Sequence, residues 1–181
     1  GSDLVADMTT LLSQVKLVPP EDYSGTSTIT TSVTSKETGA EESQPATQTF
    51  DIAVSAVAET PTVTGSAATS ATLKEDTDIL LDLNLIVNDK DGSETVSQLR
   101  ISGLTSIGQQ NLTGILVDGN GNLVGSNDGS GTTILTSAEY SAARAGTTPI
   151  FFRPPRDFSG DVSLNIVAVV QEPSSGSTAT S

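Results

Sequence analysis

The chain has no cysteine, no histidine and no tryptophan, and only 8 lysines and arginines stand against 22 aspartates and glutamates in its 181 residues. Each absence removes a class of chemistry. Without cysteine there is neither a disulfide framework nor a thiolate metal site. Without histidine there is no imidazole general base, no His-based triad and no usual zinc or copper site. Aromatic residues make up 3% of the sequence, which leaves no stacking platform for sugar rings. The ordinary nucleophile-and-base equipment is missing, so a non-enzymatic protein is expected. The formal net charge of −14 repels phosphates and anionic headgroups, which argues against nucleic acid as a partner and against a membrane surface. No apolar run approaches the roughly 18–20 residues that span a bilayer, so no membrane insertion is expected. Hard, oxygen-seeking cations are the chemistry that remains.

What is present is a repeat. "LVPPEDYSG" at 17–25 matches "FRPPRDFSG" at 152–160 at a constant offset of 135 residues (152 − 17). Pro19/Pro154, Pro20/Pro155, Asp22/Asp157, Ser24/Ser159 and Gly25/Gly160 are identical, Tyr23 pairs with Phe158, and Glu37 falls on Glu172. Two copies of one segment imply repeated modules. Pro-Pro ends a strand and fixes an extended corner. The Asp-aromatic-Ser-Gly turn follows, with the ring plugging the end of a small core. A strand comes next. Val162, Leu164, Ile166 and Ala168 share one face at period two in the second copy; Ile29, Thr31 and Val33 make the corresponding, less apolar face in the first.

The pattern predicts an all-β protein of immunoglobulin-like or cadherin-like antiparallel sandwiches. Residues 1–60 read as the C-terminal part of one module, closing with "TFDIAVSAVAE", whose Phe50, Ile52, Val54 and Ala56 face inward. Residues 61–181 read as a second module. It holds the strands "TDILLDLNLIV" and "TVSQLRISGL", a hairpin "GILVDGNGNLVG" turning at Asp118–Asn122, and one short helix, "TSAEYSAARAG", opened by a Thr136/Glu139 capping box and stopped by Gly146. The first piece is incomplete. It either stands apart or donates strands to a split domain.

Acids crowd the bends of the second module. "NDKDGSE" offers Asp89, Asp91 and Glu94 around Gly92, and "KEDTD" adds Glu75, Asp76 and Asp78. Glu59 stands at the end of the preceding piece, two residues before Pro61. Carboxylates gathered this closely raise each other's pKa and cost stability, which a divalent ion reverses. Two readings stand: calcium ligands, or solvated turn residues. Glu59, Glu75, Asp76, Asp89, Asp91 and Glu94 are the candidate metal ligands, with Ca²⁺ as the cofactor. Asp157 and Glu172 are weaker candidates, and Asp118, Asn120 and Asn122 read as a hairpin tip. Arg144, Arg153 and Arg156 are read as balancing nearby acids.

Taken in order, "EDT", "D-DGSE", "ISGL" and "PP-DFSG" resemble the tandem immunoglobulin-like, cadherin-like repeats of large bacterial repeat-in-toxin adhesins. The resemblance covers roughly residues 71–172, with 10–60 as the tail of a preceding repeat. It implies an extracellular, calcium-rigidified β-sandwich in a fibre on the bacterial cell surface, used in attachment and biofilm formation, with neighbouring adhesin modules as partners. It also implies Asp89, Asp91, Glu94, Glu75 and Asp76 as calcium ligands. Irregular modules of such adhesins include ligand-binding ones, so a module recognising a host or bacterial surface peptide or glycan, in a calcium-dependent way, is the alternative expectation.

Overall fold

The computed structural model describes residues 2–67, 75–89, 92–105 and 113–181. The chain divides into two compact units, Gly1–Val54 and Ser55–Ser181. Residues 55–60, read from sequence as part of the first piece, therefore belong to the second.

The first unit holds a helix α1 (Ser2–Leu12) and one antiparallel pair, β1 (Gly25–Val33) with β2 (Ala46–Val54). The helix corrects the expectation of a single helix in the chain. Residues 2–18 contain neither Gly nor Pro and are rich in good helix formers. Met8, Leu11 and Leu12 on it are more than half exposed, so the apolar stripe that marks a packed helix in a sequence is weak here. In the sheet, directly paired residues share a face. Ile29 lies opposite Phe50 and Ser27 opposite Ile52 on one face, while Thr28 opposite Asp51 and Thr30 opposite Thr49 form the polar one. Phe50 and Val33 remain 48% and 61% exposed. The inward orientation expected of Phe50 thus has no second layer beneath it in this unit, and two strands alone cannot bury a face.

The second unit is an antiparallel β-sandwich. One sheet has the order β3-β4-β9-β6 and the other β11-β10-β5-β8-β7. The strands are β3 (Thr62–Ala67), β4 (Ile79–Ile86), β5 (Thr95–Ser102), β6 (Ile115–Asp118), β7 (Ser126–Asn127), β8 (Thr133–Thr136), β9 (Ile150–Arg153), β10 (Asn165–Gln171) and β11 (Thr178–Thr180). Period-two burial builds the core: Leu81 and Leu85 from β4, Leu99 and Ile101 from β5, Leu116 from β6, Leu135 from β8, Ile150 and Phe152 from β9, and Ala168 from β10. Val162, Leu164 and Ile166 pack against it as the alternation predicts. Alternation breaks at Val169 and Val170, which are both buried. There the β5 register skips Ser97, a bulge that lets its hydroxyl donate to the Val169 carbonyl (3.1 Å).

The helix α2 (Ser137–Arg144) carries the expected capping box. Thr136 accepts from the Glu139 N–H (3.3 Å), and Glu139 accepts from the Thr136 N–H (2.8 Å). Gly146 then turns left-handed at φ 71°. The turn at Asp118–Asn122 also forms, with the Asp118 carboxylate accepting the N–H groups of Asn120 and Asn122. The expected hairpin forms over a short stretch: the Asp118 N–H donates to the Asn122 carbonyl (2.9 Å), Val117 bridges Leu123, and the Val124 N–H donates to the Leu116 carbonyl (3.0 Å). β6 also pairs with β9, and the chain then crosses to β7 in the other sheet.

Both copies of the repeated corner adopt one conformation. Asp22 and Asp157 are left-handed (φ 59° and 55°), and the aromatic N–H donates to the second proline's predecessor in neither case but to the second proline itself: Tyr23 to the Pro20 carbonyl and Phe158 to the Pro155 carbonyl, both 3.2 Å. Gly25 and Gly160 lie at φ 129° and 143°. A Cβ on Gly160 would come within 3.3 Å of the Phe158 ring, so glycine lets the ring fold back over the backbone and pack against the core.

Candidate metal centre

β4 runs out of the core into the 87–94 loop, and the approach to β3 (residues 58–61) passes alongside. Asn88 ties the two together, its amide donating to the Thr60 carbonyl (3.0 Å) and to Thr62 (3.2 Å). The Ala58 N–H donates to Ser177 in the turn between β10 and β11 (3.2 Å). Three segments distant in sequence therefore meet at one end of the sandwich, and Glu59, Asp89 and Glu94 converge there. Each contributes a carboxylate oxygen, and these oxygens all lie within 4.8 Å of one another.

The loop is shaped by its own carboxylates. Asp89 accepts from the Gly92 N–H (2.6 Å) and the Glu94 N–H (2.8 Å). Gly92 sits at φ 78°, a path open to glycine, with nothing near the place of a Cβ. Glu94 accepts from the Glu59 N–H through Oε1. Its other oxygen, Oε2, is buried and has no hydrogen-bond partner. Burial above all, then the charges of Glu59 and Asp89, pushes the Glu94 carboxyl above the ordinary glutamate value; the Glu59 N–H opposes this in part. Beside the cluster lies Glu172, only 1% exposed, which accepts from the Ser93 hydroxyl and the Ser174 N–H (2.9 Å). The repeat carried the signal for it, because Glu172 stands where the first copy has Glu37.

Of the six candidate ligands, the structure brings Glu59, Asp89 and Glu94 together, and Asp91 lies outside the described residues. Glu75 and Asp76 are elsewhere. They precede β4 whereas Asp89 follows it, and eight strand residues separate the two ends by about 25 Å. Asp76, left-handed at φ 60°, accepts from the Asp157 N–H (3.1 Å) and so braces the Pro-Pro corner. Among the described residues no group of three acids includes Glu75, Asp76 or Asp157. Asp78 forms a bidentate pair with Arg153, two contacts of 2.7 Å, and this hydrogen-bonded partner holds its carboxyl below the usual range. Arg153, at the end of β9, meets Asp78 just ahead of β4, whereas Arg144 reaches toward the Leu85 carbonyl near the other end of that strand.

The donor set is oxygen only and negatively charged, which suits a hard cation. Ligands at 2.3–2.6 Å from calcium can stand up to about 5.2 Å apart, and the three carboxylates fall inside that span. No protein-family model, curated protein or solved structure matches this chain.

Proposed function

We propose that the 55–181 unit is a non-catalytic, calcium-stabilised β-sandwich module of an extracellular bacterial surface fibre that supports attachment. The observation that carries the metal reading is Glu94: a half-buried carboxylate whose Oε2 has no partner, held between two further carboxylates from two segments of the chain. Leaving a buried polar atom unsatisfied and surrounded by like charge costs stability. A doubly positive ion supplies both the missing partner and the neutralising charge.

The chain's own residues define what such a site would do. Glu59 anchors the segment entering β3, Asp89 folds the 89–94 loop through two N–H groups, and Glu94 joins them. Closing this site fixes the segment that enters the sandwich against the loop joining its two sheets. A module so fixed resists bending at its entry, the property a load-bearing surface fibre needs. The repeated Pro-Pro-x-Asp-aromatic-Ser-Gly corner, the cysteine-free composition and the −14 charge support the placement in a tandem surface array.

The test is thermal unfolding in excess chelator, in 10 mM magnesium and in 10 mM calcium. An ion bound only by the folded state adds about 2.7 kcal/mol at a hundredfold excess over its dissociation constant. That corresponds to a rise on the order of 10 °C for a unit of this size. Identical midpoints in calcium and chelator would end the proposal.

A further inference from the structure

The turn joining β10 to β11 touches both segments that deliver the candidate ligands. Its own backbone closes it. The Glu172 N–H donates to the Ser177 carbonyl and the Gly176 N–H to the Glu172 carbonyl, both 2.8 Å, with Gly176 left-handed at φ 73°. At one end of this turn the Ser177 hydroxyl accepts the Ala58 N–H (3.2 Å), one residue before Glu59. At the other end the Glu172 carboxylate accepts the Ser93 hydroxyl, one residue before Glu94. The two ends are bonded to each other, so Glu59 and Glu94 are held from one short, closed piece of backbone.

Glu172 is a costly residue to place there. It is 1% exposed, and charged side chains are almost never so buried without partners. One of its oxygens accepts from Ser93 and the other from the Ser174 N–H (2.9 Å). Among the described residues it is not one of the acids whose oxygens gather within 4.8 Å, so it is not placed as a ligand. An apolar side chain of similar volume would fill the same space without burying charge beside three other carboxylates. What such a side chain cannot do is hold the loop at Ser93. The N–H groups on either side of Ser93, those of Gly92 and Glu94, both donate to Asp89. Ser93 is therefore the middle of the turn that sets Asp89 against Glu94.

We infer that Glu172 is a positioning residue for the bound ion, acting through Ser93 to keep Asp89 and Glu94 at ligand spacing; the inference rests on the calcium reading above. Groups that stand behind metal ligands orient them, and their loss typically weakens the metal 10–100-fold. With Ser93 anchored, the Glu94 backbone keeps its carboxylate beside the Glu59 N–H before any ion arrives. Without the anchor, the loop has to be ordered when the ion binds, and that ordering is subtracted from the affinity. Because the same turn holds Ala58 through Ser177, it fixes the Glu59 side of the site as well. The β10–β11 turn thereby sets the geometry of a site to which it contributes no ligand.

The test is a calcium titration of the chelator-stripped full chain, followed at the Gly92 and Glu94 amide resonances, for the wild type, Glu172→Met, Glu172→Gln and Ser93→Ala. Glu172→Met fills the space without an acceptor and should weaken calcium by at least about tenfold. Ser93→Ala, a milder change to the fold, should weaken it by a similar factor. Glu172→Gln should stay within about threefold of the wild type, because the Ser93 hydroxyl can donate to an amide oxygen or accept from an amide NH₂. Wild-type binding with unchanged dissociation constants in Glu172→Met and Ser93→Ala would overturn this inference and leave the calcium reading standing. Glu172 would then serve stability alone, and its loss would lower the unfolding midpoint equally in calcium and in chelator. A glutamine variant as weak as the methionine one would also overturn it, since charge rather than position would be at work. A wild type whose loop resonances ignore calcium would overturn both readings.

Discussion

Replacing Glu94 with glutamine has opposite effects with and without calcium, and the geometry sets both signs. The substitution keeps the shape of the side chain and removes one charge of three. Two unit charges 4.8 Å apart, the outer limit for these carboxylates, repel by about 0.9 kcal/mol at a dielectric of 80 and about 3.5 kcal/mol at 20. The site is half-buried, so relief of one such repulsion of order 1–2 kcal/mol is expected in chelator, a rise of several degrees in the unfolding midpoint. In 10 mM calcium the same variant loses a ligand and most of the metal-dependent gain, so its midpoint falls below that of the wild type. The pH dependence follows the same sign. A carboxyl whose folded pKa is raised binds more protons folded than unfolded across the gap between the two values. In chelator, the stability of the wild type relative to Glu94→Gln therefore declines as pH rises from the ordinary glutamate value through the raised one. In calcium it rises over that interval, since only the ionised carboxylate is a ligand. Differential scanning calorimetry of both proteins between pH 4 and 8, in each medium, reads all four curves. A glutamine variant that is destabilised equally in calcium and chelator would refute the reasoning, because the carboxylate would then act through packing alone.

Three further outcomes are expected. Asp78→Asn removes one partner of the Arg153 pair; because both side chains are roughly a third or more exposed, the cost is about 1 kcal/mol in urea unfolding at pH 7. Asp78's folded pKa is lowered, so its contribution is present above the unfolded value and lost as pH falls through the folded one, and the wild type and variant should converge in acid. Gly125→Ala places a Cβ 2.7 Å from Thr133 Cγ2 and 2.9 Å from the Ile134 carbonyl at φ 77°, which should cost about 3 kcal/mol in chemical unfolding. Hydrogen exchange should find the β1–β2 amides opening far more readily than those of β5 and β10, since a two-stranded sheet with an exposed face has little to hold it.

The sandwich was legible because its strands obey period two over a buried face, as in Leu81, Leu83 and Leu85 or Val162 to Ala168. The capping box and the Asp118 turn were legible because local chemistry decides them. The crossing to β7 after the short hairpin was not, because the pairing of β6 with β9 is made about thirty residues later in the chain. The acidic cluster was half legible. "NDKDGSE" marks the loop, and Glu59 was recognisable as an acid at an entry point. The assignment of Glu75 and Asp76 to the same end fails because sequence proximity says nothing about which end of β4 a residue occupies. Their work is at the opposite end, where Asp76 meets Asp157. Glu172 could be found only by laying one copy of the repeat on the other.

The central claim, that a divalent ion joins Glu59, Asp89 and Glu94, is tested most directly by diffraction from crystals grown with calcium and recorded at a wavelength where calcium scatters anomalously. The account predicts a peak 2.3–2.6 Å from a carboxylate oxygen of each of the three residues. Density there that refines as water, without anomalous signal and with the three carboxylates turned apart, would contradict it.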